Sequence, residues 1–208
     1  MTSIPVRSRS SREERFEERR TQLAQSALET LGELGYARTS LREIAQHSAF
    51  THGVVHYYFA DKVELITHCV RLYKVQCVNR FDEIVLSSRN APELLERFAD
   101  RLVETMTTEA SLHRLWYDLR SQSMFEDSFR ADVLDIDATL QGMVWRVVER
   151  YAALAGGTTL LDERATYALF DGLFEKALLH HLAGESEAAA ELVARVGWLL
   201  PRVVALDA

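Results

Sequence analysis

Seven histidines and two cysteines are the side chains of this 208-residue sequence best suited to metal binding or proton transfer, and their spacing limits what they can do. His52 and His56 stand one helical turn apart, which can grip a metal ion or turn two imidazoles toward one partner surface. No nearby cysteine or third histidine completes a metal site with them. Their neighbours Thr51, Gly53, Val54 and Tyr57 are residues that can approach the edges of base pairs. His180 and His181 are adjacent, so on a helix they point about 100° apart, and with His113 elsewhere they read as surface or interface residues. Cys69 and Cys77 lie eight residues apart in one apparent helix, about 12 Å along its axis and beyond the reach of a disulfide. They read as reduced thiols of a cytoplasmic protein. The sequence holds no Gly-x-Ser-x-Gly elbow, no His-Glu-x-x-His, no phosphate-binding glycine loop and no Cys-x-x-Cys pair. It reads as no enzyme, with no cofactor and no metal.

The elements that must hold the residues around His52 are short and sharply punctuated. Phe16, Leu23, Ala27, Leu31 and Leu34 recur on one helical face from about residue 12, and Gly35 stops that helix. Ser40-Leu41-Arg42-Glu43 is a capping box, so a second, short helix begins there and ends near His47. A tight turn at Ser48-Ala49-Phe50 must follow, because Thr51 is already the expected cap of a third helix running to about Tyr57. Two helices joined by so few residues, the second too short to stand alone, form a helix-turn-helix. Ile44, Ala45, Phe50, Val55 and Phe59 can lock the pair from within, which leaves Thr51, His52, Gly53, Val54, His56 and Tyr57 outward. Gly53 costs a helix interior about 1 kcal/mol relative to Ala and needs a reason, such as close approach of a partner backbone.

Asp61 with Glu64 three residues on opens a fourth helix that meets no Gly or Pro until about Leu86 and would transmit motion as a rigid tilt. Five further helical segments follow, at roughly 92–107, 110–123, 127–155, 162–183 and 187–206, with Gly156-Gly157-Thr158-Thr159 and Gly184-Glu185-Ser186 as breaks and Pro201 expected to kink or end the last. The chain is therefore expected to be all-α. A content of 48% hydrophobic and 26% charged residues excludes a disordered or fibrous chain. No stretch approaches the ~18 apolar residues of a membrane span, and no export signal is apparent. The net charge of −7 is unevenly spread: residues 1–62 hold nine Lys/Arg against eight Asp/Glu, and the remaining 146 hold fifteen against twenty-three. The first twelve residues carry three arginines and no acid, an arm that can follow a phosphate backbone or stay solvated.

Gly35-Tyr36 closing the first helix, Thr39-Ser40-Leu41-Arg42-Glu43-Ile44-Ala45 opening the second, and an aromatic-rich third helix ending in Phe59-Ala60-Asp61-Lys62 together resemble the TetR family of bacterial transcriptional regulators. That resemblance covers Leu23 to Leu65. It implies a helix-turn-helix domain over residues 12–65, behind an arm at 1–20 that runs into the first helix. A helical bundle over 66–208 would bind ligand and form the dimer, for about nine helices in all. It assigns Thr39, Arg42 and Lys62 to phosphates, and Thr51, His52, Gly53, Val54, His56 and Tyr57 to the major groove of a palindromic double-stranded operator. The implied protein is a homodimeric repressor that leaves its operator when a small molecule binds. Two departures alter the expectation. Ala49 stands where the family usually has Gly in the turn, which would hold an alanine at positive φ. His56 stands where Tyr is usual, and His52 where Lys or Arg is frequent. Base preference is therefore this chain's own, and its DNA affinity is expected to rise as pH falls toward 6.

For the ligand chamber the residues themselves point to a mixed set. Trp116 and Phe125 fall close to Asp118 and Arg120, and Phe98, Met106, Met143, Trp145, Tyr167, Phe170 and Phe174 are further wall candidates. The same residues would serve as ordinary core. Arg120 could pair with one carboxylate, although the acidic balance argues mildly against an anionic effector, and an apolar or aromatic compound is expected. Leu169, Leu173 and Leu179, with Leu192, Val196, Leu199 and Val203 in the next helix and small Ala165, Gly172 and Ala189 between, form stripes that could build a four-helix dimer interface or pack internally.

Overall fold

The computed structural model describes residues 7–35, 39–47 and 50–206, which divide into two compact units, Met1–Leu72 and Tyr73–Ala208. The described residues are almost entirely helical.

The first unit contains α1 (Arg7–Leu34), α2 (Leu41–Gln46), α3 (His52–Tyr58) and the opening of α4 (Lys62–Ser87). The first helix starts earlier than its apolar periodicity indicates, so Arg7 to Arg12 belong to it and not to an extended arm. Its Leu23, Ala24, Ala27 and Leu31 have no exposed surface and meet the buried Ile44, Val55, Phe59, Leu65 and Ile66 in one small apolar core. Each start is capped as the sequence indicates: Ser40 Oγ accepts from Glu43 N at 3.2 Å, Thr51 Oγ1 from Val54 N at 3.4 Å, and Asp61 Oδ1 from Glu64 N at 2.9 Å. Glu64 reaches back to Ala60 N at 2.8 Å, completing a capping box. Gly35 takes φ 74°, the left-handed conformation that ends α1. The turn residues Ser48 and Ala49, including the expected positive φ at Ala49, lie outside the described residues. Cys69 is buried and its Sγ donates to Ala24 O at 3.3 Å.

The second unit holds the rest of α4 with α5 (Ala91–Thr108), α6 (Ala110–Gln122), α7 (Arg130–Ala155), α8 (Glu163–Leu182) and α9 (Ala188–Leu199). The segment expected as one helix over 127–155 begins with a separate 3-10 turn at Asp127–Phe129. The last helix ends before Pro201, at Leu199, and a 3-10 turn over Leu200–Val203 replaces its final turn. Residues 157–159, read as mere punctuation, form a strand β1 (Gly157–Thr159). It pairs antiparallel with β2 (Val204–Leu206), opposite Gly157↔Leu206, Thr158↔Ala205 and Thr159↔Val204. A side chain at Gly157 would meet Ala205 O at 2.2 Å, so the ribbon closes only on glycine there. Leu192, Val196, Leu199 and Val203 are buried within their own chain, so of its two expected uses that stripe packs internally. Leu169 and Leu179 of the α8 stripe face outward, as do Leu182 of α8 and Val193 and Trp198 of α9. Among the described residues no helix is long and apolar enough to cross a membrane.

Candidate nucleic-acid interface and candidate ligand cavity

Val55 is the only residue of α3 that is fully buried, and it ties the helix to Ile44 of α2 and to Phe59 beyond. Everything else on α3 faces outward or sits at the edge. Thr51, His52, Gly53, His56 and Tyr57 are exposed, Tyr57 by 68%, and Val54 marginally so. The His52 and His56 rings meet edge to face at 4.4 Å between centroids. Gly53 has nothing of this chain within 4 Å of the place where a side chain would stand. Arg42 is exposed on α2, and Lys62 is half-buried at the start of α4. Thr39 is the exception among the nine expected contacts: it is buried, and its hydroxyl donates to Gly35 O at 2.6 Å, closing the end of α1.

Residues that the sequence reading did not single out stand beside this face. Arg12, Arg15 and Arg19 line a shallow cleft with Phe16, Tyr57 and Tyr58. Phe16 stacks against Tyr58 at 4.9 Å and against Tyr57 edge-on at 6.0 Å, holding the tyrosines in place. The signal was present in the sequence, since positions 12, 15 and 19 recur at three and seven along α1 and so share a face. Arg20, one residue on, is turned inward: it ion-pairs with Glu64 and lies 4.9 Å over the Phe59 ring. His68 is held below the usual imidazole range by burial and by Arg20.

The second unit holds a partly open cavity with about 70 Å³ of free space between five helices. Its apolar wall is Phe81 of α4, Phe98 and Leu102 of α5, Trp116 of α6, Leu140, Met143 and Val144 of α7, and Phe170 and Phe174 of α8. Polar groups enter it from Lys74 and Cys77 of α4, Thr105 of α5, His113 and Tyr117 of α6, and Tyr167 and Asp171 of α8. The free space is smaller than the roughly 300–1,000 Å³ of open small-molecule sites, so a ligand of that size would have to part the helices, but a mostly apolar wall with a few polar groups is the usual make-up of such sites. Of the ten candidates for a ligand chamber, Phe98, Trp116, Met143, Tyr167 and Phe170 line this cavity. The other five do not. Phe125 is 85% exposed in the turn after α6, and Met106 is buried in packing away from the cavity. Trp145 is half-buried outside it, on a different face of α7 from Met143 and Val144. Asp118 faces a separate groove with Arg114 and Lys176. Arg120 is already committed: Nη1 donates to Asp171 at 2.7 Å and Nη2 to Glu175 at 3.3 Å, with Asp137 3.7 Å away. Burial opposes its charge, but the Asp171 hydrogen bond and carboxylate hold its pKa above the ordinary value.

Two hydrogen-bonded chains run through these polar groups. Tyr117 donates to the second oxygen of Asp171 at 3.1 Å, and Tyr167 donates to Asp137 at 2.9 Å. On the other side Arg80 and Tyr73 both donate to Glu109, the tyrosine at 2.8 Å. His113 Nε2 stands 2.9 Å from the same Tyr73 oxygen, and Lys74 Nζ stands 3.4 Å from His113 Nδ1. With the tyrosine proton given to Glu109, Nε2 must be the protonated nitrogen, which leaves Nδ1 to accept from Lys74. Burial, then Lys74 and Arg80, push His113 well below the usual range and keep it neutral. Burial lowers Lys74 to about 8 and raises the Cys77 thiol. The lysine, the histidine and the thiol belong to this cavity although the sequence reading placed none of them there, since their own periodicity gives no sign that α4 and α6 meet.

Residues 23–69 match the family model described as bacterial regulatory proteins, tetR family. No curated protein matches the chain. Among solved structures, a TetR transcription regulator from Haloarcula marismortui is similar at TM-score 0.74 and 16% identity, covering 91% of this chain and 100% of that one. A TetR-family regulator from Agrobacterium tumefaciens is similar at 0.72 and 19%, with 91% and 100% covered. The regulator FadR from Bacillus subtilis, in complex with stearoyl-CoA, is similar at 0.64 and 18%, with 90% and 99% covered. At such identities these structures show a common fold.

Proposed function

Because residues 23–69 belong to the TetR family of bacterial regulatory proteins, we propose that this chain is a DNA-binding transcriptional regulator: a homodimeric repressor that leaves a palindromic operator when a small molecule occupies the cavity of its second unit. The observation that carries this reading is α3. It is a helix of seven residues fixed by the buried Val55 and by Phe16 against its two tyrosines, with His52, Gly53, Val54, His56 and most of Tyr57 left facing outward. Val54, His52, His56 and Tyr57 meet base edges and the thymine methyl in the major groove, and Gly53 lets the backbone come close. Arg42 and Lys62, joined by Arg15 and Arg19 beside Tyr57, hold phosphates. Thr39 serves this surface indirectly, by closing α1 through its bond to Gly35 O.

The dimer forms through α8 and α9, whose exposed Leu169, Leu179, Leu182, Val193 and Trp198 form an apolar face with Ala165 and Gly172 permitting close approach. A two-fold pair of α3 helices spaced one turn of B-DNA apart, roughly 34–36 Å, reads a palindrome. A ligand that favours a wrongly spaced state by ~1–3 kcal/mol lowers occupancy 5- to 150-fold. No residues are arranged for catalysis in this reading.

The test is selection of genomic fragments by the purified protein at roughly 150 mM salt, followed by footprinting, with His56→Ala and Lys62→Ala in parallel. A two-fold symmetric footprint lost in both variants is the expected result. If a protein freed of ligand by unfolding and refolding recovers no specific fragment, the chain is a helical ligand-binding protein that does not read DNA.

A further inference from the structure

Two hydrogen-bond donors in the cavity wall lack the acceptor that a buried donor requires. Lys74 is 4% exposed; among the described residues its one hydrogen-bonding neighbour is His113 Nδ1 at 3.4 Å, a long contact to a neutral ring, and its charge otherwise meets only aromatic faces, with Nζ 5.1 Å over the Tyr73 ring. It lies 5.5 Å from the centroid of Trp116, which is 1% exposed and whose indole Nε1 donates to nothing among the described residues. The nearby carboxylates are spoken for. Asp171 is held by Arg120 and Tyr117, and Glu109 by Arg80 and Tyr73. A buried ammonium without a counter-ion and a buried N–H without an acceptor both oppose folding, and native structures retain few of either unless something else supplies the missing group.

We infer that the cavity takes an apolar molecule bearing one carboxylate, whose two oxygens accept from Lys74 Nζ and Trp116 Nε1 while its apolar body lies among Phe81, Phe98, Met143 and Phe170. This rests on the reading of the cavity as the effector site, and adds the chemistry of the effector. A neutral acceptor such as a ketone satisfies the hydrogen bonds but leaves the ammonium uncompensated. A cationic ligand is repelled. A carboxylate provides the charge and an oxygen for each donor. The mild preference against an anion drawn from overall acidity is overridden locally, because Asp171 and Glu109 are neutralised by their own arginines before they reach the lysine.

The test uses matched sets in which one body carries three heads: 4-phenylbutanoate with its amide and amine, octanoate with octanamide and octylamine, and 2-naphthylacetate with its amide and amine. Binding to the full chain is read by calorimetry near pH 7. The expected result is an acid tighter than its own amide by on the order of tenfold to a hundredfold, with the amine weakest. In Lys74→Met, a variant of similar volume that removes a buried charge, the acid falls to the level of the amide while amide binding persists. Trp116→Phe, which keeps a ring and loses the N–H, lowers the ratio part of the way. Thermal melts of both variants establish that they fold. Amides or amines that bind as tightly as acids, an acid preference that survives Lys74→Met, or no binding by any member of the three sets overturns the proposal. The genomic-fragment selection is run on the same samples without ligand. Loss of DNA binding with the acid preference intact therefore counts against the regulator reading alone, and the converse against this one alone.

Discussion

The two units dispose of their polar side chains in opposite ways. In Met1–Leu72 an apolar core of Leu23, Leu31, Ile44, Val55 and Phe59 lies beneath a surface on which the imidazoles of His52 and His56 and the phenol of Tyr57 are exposed. In Tyr73–Ala208 the corresponding chemistry is inside: Lys74 and His113 are buried, and Asp171 is largely enclosed by Arg120 and Tyr117. An exposed recognition group can change with little effect on folding, because water already satisfies it. A buried one is held by neighbours that it also satisfies, so recognition and stability change together. On the function proposed, specificity for a nucleic acid would therefore drift in the first unit while the fold persists, whereas a ligand preference of the second would be tied to its packing.

Asp171→Ala gives the largest expected effect on this contrast. It strips Arg120 and Tyr117 of a shared acceptor and costs about 2–3 kcal/mol in urea unfolding. His52→Ala, exposed on α3, stays within about 0.5 kcal/mol of the parent. Equal losses from the two would break the comparison.

Lys74→Met sharpens it through pH. The lysine drops from 10.5 to about 8 in the fold, among Tyr73, Cys77, Glu109, His113, Arg120 and Asp171. Below about 8 it is an ammonium in both states, and the burial penalty is fully present. Between about 8 and 10.5 the unfolded chain holds a proton that the folded chain has released, so the lysine's contribution to stability improves as pH rises. The variant is accordingly more stable than the parent by a few kcal/mol at pH 7, and the gap closes toward pH 10.5. A gap independent of pH would show that the lysine is protonated alike in both states.

Gly53→Ala is the smallest effect and the most diagnostic. With nothing within 4 Å, the added methyl is free to improve α3, by about 0.5 kcal/mol. On the function proposed, operator affinity nevertheless falls, because the methyl would occupy the space that DNA needs. A variant that gains stability and keeps its affinity removes Gly53 from the interface.

The same contrast explains which parts could be read from the residues in order. The caps at Ser40, Thr51 and Asp61, the stop at Gly35 and the break before Pro201 are decided by atoms within four residues of one another, so local spacing suffices. The exposed face of α3 follows from the same spacing. The cavity is another matter. Trp116 and Phe125 look alike as large apolar residues of one stretch, yet one is 1% exposed and the other 85%, because α6 ends at Gln122 and Phe125 falls in the turn. Arg120 is an available cation by sequence alone, whereas Asp171, Glu175 and Asp137, which hold it in the fold, are all remote in sequence. Lys74 carried no signal at all, being one more cation in a helix. The β1–β2 ribbon escaped for the same reason, as three residues of strand have no periodicity to read.

That ribbon also imposes an order of events on a chain made from its N-terminus. Gly157–Thr159 emerges from the ribosome well before Val204–Leu206, so its backbone groups stay without partners while α8 and α9 are synthesised. The helix-turn-helix needs no such wait, since its partners lie within a few dozen residues. A nascent chain arrested between the two strands would thus carry the whole helix-turn-helix while β1 still lacked the strand it pairs with.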